Sequence, residues 1–212
     1  MKSEIRKDFD KDAAQYDANP GRVKLANDVA AAIIREVNFA EDTEVLDFGC
    51  GTGLLTLKLR PLVKTITGVD SSQGMLGMLH EKIGAQELNN VHTQFVDFEK
   101  GGRVKGCYSL IVSSMTLHHV PDTVALFKEW FSLLRPNGRV CFADLDTEDG
   151  SFHGDNTGVF HLGFDREKLK QLLHDAGFRD VRDTTATTMT KEVEGQGMRE
   201  FPIFLIIARR AE

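Results

Sequence analysis

The sequence predicts an α/β protein with a seven-stranded, mostly parallel sheet, helices on both faces of the sheet and an antiparallel C-terminal hairpin. Three observations support this fold class. Strand-like and helix-like segments alternate along the chain, which is typical of a parallel sheet. The segment 108–113 is an apolar run, as expected of a strand covered on both faces. No helix fits between residues 190 and 202, so the last two strands should pair antiparallel.

The first half of the chain contains a helical segment followed by alternating strands and helices. Residues 1–20 are polar and predict a short helix and then a turn at Asn19-Pro20-Gly21. Apolar residues at helical spacing predict a helix from Val23 to Val37 with one buried face. The elements predicted next are a strand over 44–48, a helix over 54–60 stopped by Pro61, a strand over 65–69, a helix over 71–79 capped by Ser71 or Ser72, and a strand over 91–96.

The second half continues the alternation and then departs from it. The strand over 108–113 precedes an amphipathic helix over 124–134, a turn at 135–138 and a strand over 139–144. Residues 145–164 are rich in Gly, His and Asp and show little periodicity. The last elements predicted are a helix from Asp165 to Ala176 ended by Gly177, strands over 181–190 and 202–209, and a polar stretch over 191–200 that links these two strands.

Composition limits the classes of partner. The 212 residues suit one domain over 1–212. The net charge of -6, without a basic stripe, argues against nucleic acid and anionic membranes as partners. The three cysteines, Cys50, Cys107 and Cys141, form no metal-ligand pattern, and the charged N-terminus does not look like a signal peptide. A cytoplasmic protein with free thiols is therefore expected.

The most informative segment is the glycine-rich sequence VLDFGCGTG at 45–53, which follows a strand and opens a helix. Glycines permit a tight turn and a close approach of the backbone to a ligand. Free N–H groups at the start of a helix favour a carboxylate or a phosphate. Such a loop alone is also found in nicotinamide and flavin enzymes, so it does not decide between cofactors.

Three acidic residues at the ends of neighbouring strands narrow the choice of ligand. Asp47 lies two residues before the first glycine, where an acid suits an ammonium group better than a pyrophosphate. Asp70 ends the second strand and can accept hydrogen bonds from both hydroxyls of a ribose. Asp97, followed by Phe98, can meet the exocyclic amine of an adenine. Together the three carboxylates match a ligand with an ammonium, a ribose and an adenine.

In these segments the sequence resembles the class I methyltransferases that depend on S-adenosylmethionine (SAM). The matching motifs are VLDFGCGTG, GVD at 68–70, VDF at 96–98, and YSLIVSSMTLHHV at 108–120 followed by LLRPNGRV. The resemblance covers roughly residues 40–180 and implies a Rossmann-like seven-stranded fold. It also implies that SAM is the cofactor, with S-adenosylhomocysteine (SAH) as the product.

The resemblance assigns roles residue by residue. Asp47 and the loop would hold the methionine end, Asp70 the ribose, and Asp97 the adenine amine. Met75 and Phe98 would flank the adenine, while Ser113 and Ser114 would line the sulfonium region. The cofactor-binding residues expected within these motifs are Asp47, Gly49, Cys50, Gly51, Gly53, Asp70, Ser71, Met75, Asp97, Phe98, Ser113 and Ser114.

The N-terminal sequence FDKDAAQYDANPGR at 9–22 resembles the start of the ubiquinone and menaquinone biosynthesis methyltransferases. The resemblance implies that residues 1–22 form a lid, with Tyr16 over SAM and Arg22 near its carboxylate. A solvated helix with one packed aromatic is the alternative. Residues 145–164 and 191–200 are expected as loops on the substrate side.

His118 and His119 follow the fourth strand and are the candidate catalytic residues, because a neutral imidazole can accept a proton from a nucleophile. Methyl transfer often needs only alignment, so a base is not required. No metal site is expected, because Met115 and His118 stand where metal-binding relatives carry acids.

The sequence therefore predicts a SAM-dependent methyltransferase that acts on a small molecule, as a monomer or a homodimer. Motifs of DNA methyltransferases are missing after the fourth strand. Two alternatives remain open at this stage: an NAD(P)-dependent oxidoreductase, which would leave Asp47 and Asp97 unexplained, and a non-catalytic SAM-binding regulatory protein.

Overall fold

A computed structural model describes residues 7–98 and 100–211. The chain begins with a short helix α1 (Phe9–Asp12), a 3-10 turn (Ala13–Ala18) and helix α2 (Pro20–Glu36). The following elements are β1 (Glu44–Phe48), α3 (Leu54–Leu59), β2 (Thr65–Asp70), α4 (Gln73–Ala85), β3 (Val91–Phe95), β4 (Tyr108–Ser114), α5 (Thr123–Leu133), β5 (Leu134–Leu145), α6 (Arg166–Asp175), β6 (Phe178–Val193) and β7 (Gly197–Arg210). Among these residues no helix is long and apolar enough to cross a bilayer.

The seven strands form one sheet in the order β3-β2-β1-β4-β5-β7-β6. Strands β1 to β5 pair in parallel, whereas β7 runs antiparallel to both β5 and β6. The predicted fold class is therefore confirmed. The strand order reverses between β1 and β4, and ligand crevices in such sheets form at this switch point, outside the carboxyl ends of the strands.

Both faces of the sheet are buried, which explains the continuous apolar runs in the central strands. Leu110 and Val112 of β4 pack with α2 and α3 on one face. Ile111, between them, faces the opposite core with Phe127 and Trp130 of α5. Successive side chains of a strand point to opposite faces, so a strand in the middle layer needs apolar residues at every position.

Two predicted boundaries in the C-terminal half were wrong. The turn at 135–138 lies within β5, because Leu134 already pairs with Tyr108, and Asn137 takes up the bend with a φ of 63°.

The polar stretch 191–200 is not a loop. Strands β6 and β7 stay paired as far as Val193 and Gly197, so only residues 194–196 connect them. The hairpin tip carries polar side chains such as Lys191 and Glu200 on both strands, and this polarity resembles that of a loop.

Candidate active site

The glycine-rich loop closes the end of β1 onto β2. The N–H groups of Gly49 and Cys50 both donate to the carbonyl of Val69, at 2.8 and 3.0 Å. Gly49 has a φ of 70°, and a Cβ there would lie 2.3 Å from the Thr116 side chain. Gly51 has a φ of 54°, yet no atom lies within 4 Å of where its Cβ would be. The backbone at Gly51 therefore faces open space that a ligand can enter.

Asp70 braces this loop. Its carboxylate accepts hydrogen bonds from the N–H of Gly51 at 2.8 Å and the N–H of Ser72 at 2.9 Å. Burial raises the pKa of Asp70, although these backbone hydrogen bonds act in the opposite direction. The loop and the predicted ribose-binding residue are thus held in one rigid arrangement at the carboxyl ends of β1 and β2.

Asp47 lies beneath the loop and is almost completely buried. The hydroxyl of Thr56 donates a hydrogen bond to its carboxylate at 2.5 Å. Burial raises the pKa of Asp47 to about 7, and the nearby carboxylate of Asp70 adds to the rise. No basic side chain in 7–98 or 100–211 lies within ion-pair distance of Asp47, and a buried acid of this kind suits a ligand that brings a positive charge.

A cavity of about 980 Å³ opens beside the loop. This volume is at the upper end of the usual range for ligand pockets. Asp70, Met75 and Phe98 line one side, and His118, His119 and Lys191 line the other. A recess of about 80 Å³ continues from it beneath the loop, lined by Asp47, Cys50 and Thr52. Burial raises the pKa of the Cys50 thiol, so this residue packs as a small apolar group.

The N-terminal segment is fastened to the cofactor side of the cavity by two aspartates. Asp10 of α1 accepts hydrogen bonds from the hydroxyl of Ser72 at 2.5 Å and from the N–H of Gly74 at 2.8 Å. Asp17 accepts one from the hydroxyl of Thr52 at 2.5 Å and is paired with Lys82. The segment therefore covers both the glycine loop and the start of α4.

Tyr16 and Arg22, which belong to this covering segment, line both the cavity and the recess. The guanidinium of Arg22 lies 4.2 Å from the centroid of the Tyr16 ring. Burial raises the pKa of the Tyr16 hydroxyl. Residues 7–22 of the lid predicted over 1–22 therefore lie against the cavity, and residues 1–6 lie outside the described part of the chain, so the lid stays a prediction.

Three imidazoles meet on the other side of the cavity. The ring centroids of His118 and His119 are 4.1 Å apart, and His153 lies 5.0 Å from the first and 6.0 Å from the second. Burial, together with the neighbouring imidazoles, lowers the pKa of His119 to about 4 and that of His153 to about 3. These two rings are therefore neutral at pH 7.

His118 is paired with a buried acid. Its Nδ1 lies 2.7 Å from a carboxylate oxygen of Asp144, and both side chains are almost fully buried. Burial by itself would raise the pKa of Asp144, but the charge and hydrogen bonds of His118 lower it below its ordinary value. An ionised Asp144 accepts the Nδ1 proton, so the lone pair of the neutral form of His118 is on Nε2. His118 lines the cavity, and this nitrogen is a possible proton acceptor.

The irregular segment 145–164 is held against these histidines. The carbonyl of His118 accepts a hydrogen bond from the N–H of Phe160 at 2.9 Å. Nδ1 of His119 donates to the carbonyl of Gly158 at 2.7 Å. Because a carbonyl can only accept, His119 also keeps its lone pair on Nε2.

Most of the predicted cofactor residues converge on the cavity and its recess. Those that line one or the other are Tyr16, Arg22, Asp47, Gly49, Cys50, Gly51, Asp70, Ser71, Met75, Phe98 and Ser114. The predicted catalytic residues His118 and His119 do so as well.

Three predicted residues do not line either space. Asp97 turns to its own loop, where its carboxylate binds the N–H and the ammonium of Lys100. Ser113 is buried and donates its hydroxyl to the carbonyl of Phe48 at 2.8 Å. Gly53 begins α3 and faces Leu79. Their positions at strand ends and in the loop are as expected, but their side chains or Cα atoms contact neighbouring parts of the fold and not the cavity.

The structure also adds residues to which the sequence analysis assigned no role. Asp144 ends a strand beside the cavity, the same signal that drew attention to Asp70, and could have been found by it. Asp10 and Asp17 lie in the segment 9–22, in which the resemblance assigned roles only to Tyr16 and Arg22. His153 and Lys191 lie in polar segments with no motif, and only the fold brings them to the site. Within 7–98 and 100–211, no three His, Cys, Asp or Glu side chains are arranged to hold a metal ion. The absence of a metal from the enzyme stays a prediction.

Comparisons with known proteins agree with this geometry. An uncharacterised methyltransferase of Schizosaccharomyces pombe, C1347.09, is 29% identical over 80% of this chain and 64% of its own length. A ubiquinone biosynthesis O-methyltransferase of Coxiella burnetii is 31% identical over 64% of this chain and 59% of its own length. The chain thus matches about 60% of the length of these curated relatives.

The fold is also found in solved structures. Phosphoethanolamine N-methyltransferase 2 of Haemonchus contortus, crystallised in complex with SAM, superposes with a TM-score of 0.71 at 14% identity, over 96% of this chain and 60% of that chain. At this identity the likeness establishes the fold alone. A family profile described as a methyltransferase domain matches residues 22–183, which include the glycine loop, Asp70, His118 and His119. Since that match covers most of the chain, this protein belongs to the methyltransferase-domain family, as the sequence motifs predicted.

Proposed function

We propose that this enzyme methylates a protonated nucleophile of a small molecule, with His118 as the general base. The observation that carries the proposal is the buried His118–Asp144 pair in the wall of the same cavity that Asp70 and the glycine loop line. A hydroxyl is the acceptor group that fits best, because a neutral imidazole that accepts a proton is of use only where the nucleophile has one to lose.

The cofactor side fits SAM by its own chemistry. The raised pKa values of Asp47 and Asp70 belong to carboxylates that burial has deprived of water, and hydrogen-bond donors or a cation would stabilise their charged forms. The open space at Gly51 leaves room for a ligand against the loop. When bound, SAM supplies an activated methyl group on a sulfonium.

Each group on this side has a proposed role. Asp70 would accept hydrogen bonds from the ribose hydroxyls, and Asp47 would face the ammonium group through the recess. Met75 and Phe98 would form the apolar walls for adenine, while Arg22 would meet the carboxylate. Asp97, turned toward Lys100, would act only by shaping the loop that carries Phe98.

The acceptor side would bind, orient and deprotonate the substrate. Nε2 of His118 would take the proton of the acceptor hydroxyl, and the ionised Asp144 would stabilise the imidazolium that results. His119 would hold the acceptor rather than serve as the base, because its low pKa makes its charged form costly. The N-terminal segment and residues 145–164 would exclude water from the site.

A two-stage experiment tests the proposal. Calorimetric titration with SAM, SAH and NAD establishes which cofactor binds. A panel of phenols, amines, thiols and quinones with radiolabelled SAM then identifies the acceptor group. The proposal predicts binding of SAM and SAH but not NAD. It also predicts turnover with hydroxyl acceptors, which His118→Gln should lower by about 10²- to 10⁴-fold while SAH affinity is kept. Turnover of tertiary amines alone, which have no proton to lose, would exclude the base.

A further inference from the structure

Among the described cations of the cavity lining that have no carboxylate partner, Arg22 and Lys191 are partly buried, whereas Arg103 and Lys128 are exposed. Within the described residues, neither Lys191 nor Arg22 has an ion pair within 4.0 Å, although other basic residues such as Lys82 and Arg166 do. The ammonium of Lys191 donates to the carbonyl of Phe152 and lies 4.5 Å from the centroid of the Phe152 ring. The guanidinium of Arg22 has only its stacking contact with Tyr16.

The two cations occupy different places. Arg22 lines both the main cavity and the recess beneath the glycine loop, whereas Lys191 lines only the main cavity. On the proposed function, Arg22 meets the carboxylate of the cofactor. Lys191 comes from β6, next to Phe152 and His153. In this assignment it has no role in binding the cofactor and is available to bind a second anion.

The surroundings of Lys191 disfavour an unpaired charge. Burial lowers the pKa of Lys191, and the positive charge of Arg22 lowers it further, while Glu148 acts in the opposite direction. A bound anion would reverse both unfavourable effects. A half-buried ammonium that lacks a counter-ion is therefore in the state expected of a site without its ligand.

His153 provides an independent observation at the same place. Its Nε2 is shielded from solvent and has no hydrogen-bond partner among the described residues. Its ring packs beside the rings of Phe152 and His118, at 4.8 and 5.0 Å between centroids. Buried polar atoms in native proteins nearly always have a partner, so an orphaned nitrogen in a cavity wall points to a missing ligand.

We propose that the acceptor carries an anionic group, a carboxylate or a phosphate, which Lys191 binds through its ammonium and His153 through a ring N–H. This inference rests on the proposed function and adds the substrate class. Lys191 would fix one end of the acceptor and His118 would meet the hydroxyl at the other. Neither Lys191 nor His153 lines the recess beneath the glycine loop, so the proposed anion site lies outside the recess in which the ammonium of the cofactor would bind.

Binding to the full-length protein tests this without an activity assay. The enzyme is first saturated with SAH and then titrated with inorganic phosphate and, separately, with benzoate. Lys191→Met should weaken the preferred anion by about tenfold or more, because a charge-assisted hydrogen bond is lost. Lys191→Arg should retain most of the affinity. Lys128→Met is the matched control, because Lys128 is an exposed lysine of α5 that lines the same cavity.

The outcomes separate the two proposals. Tighter binding of phosphate or of benzoate, sensitive to Lys191→Met but not to Lys128→Met, supports the inference and tells which anion the site prefers. Unchanged SAH affinity in Lys191→Met shows that this variant is folded. If SAH binds but neither anion does, or if both methionine variants behave alike, the anion site is refuted while the proposed function stands. If SAH itself does not bind, both fail.

Discussion

The two sides of the cavity bury ionisable groups of opposite kind. The glycine-loop side holds Asp47 and Asp70, whose pKa values burial raises. The histidine side holds His119, His153 and Lys191, whose pKa values burial lowers. On each side the ligand-free protein disfavours the charged form. This difference supports the two proposals, in which one side binds a ligand that is cationic or donates hydrogen bonds, and the other binds one that is anionic or gives up a proton.

The largest expected effect lies on the histidine side. His118→Gln should lower kcat by about 10²- to 10⁴-fold, the usual contribution of a general base, because glutamine cannot take up the proton. SAH affinity should stay at the wild-type value, since His118 is not on the glycine-loop side. The measurement is steady-state kinetics with the acceptor identified in the panel, together with calorimetry.

Asp144→Asn provides the matched control for the base. An amide beside Nδ1 removes the negative charge that stabilises the imidazolium, so kcat should fall and the pH profile of kcat should change with it. A merely structural role of Asp144 would lower the melting temperature but leave the pH profile of the remaining activity unaltered. Equal kcat values in both variants and the wild type would remove the base from the mechanism.

The next effect concerns stability on the glycine-loop side. Asp47 has a folded-state pKa of about 7 against an ordinary value of 3.8, so the folded state binds its proton more tightly than the unfolded state. Its contribution to stability is therefore fully present below about pH 4 and is lost as the pH rises to 7. The ligand-free enzyme should lose up to roughly 1.4 kcal/mol per pH unit in this window from Asp47 alone.

Asp47→Asn breaks this dependence, because the amide stays neutral. At pH 8 the ligand-free variant should be more stable than the wild type, by at most about 4 kcal/mol from a shift of this size. It should also bind SAM more weakly, since the charge facing the ammonium is gone. Urea unfolding of both proteins at pH 4, 6 and 8 measures the effect. A stability difference that does not vary with pH would mean that Asp47 is already ionised in the ligand-free protein.

The glycine-loop side could be predicted from the sequence because its signals are local. Asp47 and Gly49 to Gly51 lie in one strand–turn–helix segment, and Asp70 ends the next strand. In a parallel sheet the carboxyl ends of neighbouring strands necessarily meet, so the order of the elements places these residues together. Asp97 satisfies the same rule, yet Lys100 three residues later draws its carboxylate into a turn. The rule predicts a backbone position but not the direction of a side chain.

The histidine side could be predicted only in part because its contacts are distant in sequence. His118 was found from its place after β4, but its partner Asp144 is 26 residues away. Lys191 reaches the cavity because β6 continues beyond the predicted end of the strand, and the polar hairpin tip was expected to be a loop. His153 sits in a segment without periodicity. Such contacts depend on tertiary packing, which no local pattern records.

Asp70→Ala should have a smaller effect than the preceding changes, and the quantity affected should be the affinity for the cofactor. Loss of the charged hydrogen-bond acceptor should weaken the binding of SAM by about 1–3 kcal/mol. Because Asp70 also holds the N–H groups of Gly51 and Ser72, Asp70→Asn is needed as a control. The asparagine variant keeps one oxygen for the backbone and should lose less affinity. Calorimetry with SAH on both variants decides, and wild-type affinity in a folded alanine variant would remove the ribose assignment.

His119→Ala should change cofactor binding least, and this tests whether the two sides are independent. His119 lies against His118 and the edge of Phe9, and its Nδ1 holds the carbonyl of Gly158. None of these contacts touches the glycine loop or Asp70. SAH affinity measured by calorimetry should therefore stay within about 0.5 kcal/mol of wild type, as for distant, independent sites. The loss of the hydrogen bond to Gly158 should appear instead as a destabilisation of about 1 kcal/mol in urea unfolding. A large loss of SAH affinity would show that the cofactor reaches the histidines, and the division of the cavity into an acidic and a basic side would then not correspond to two ligands.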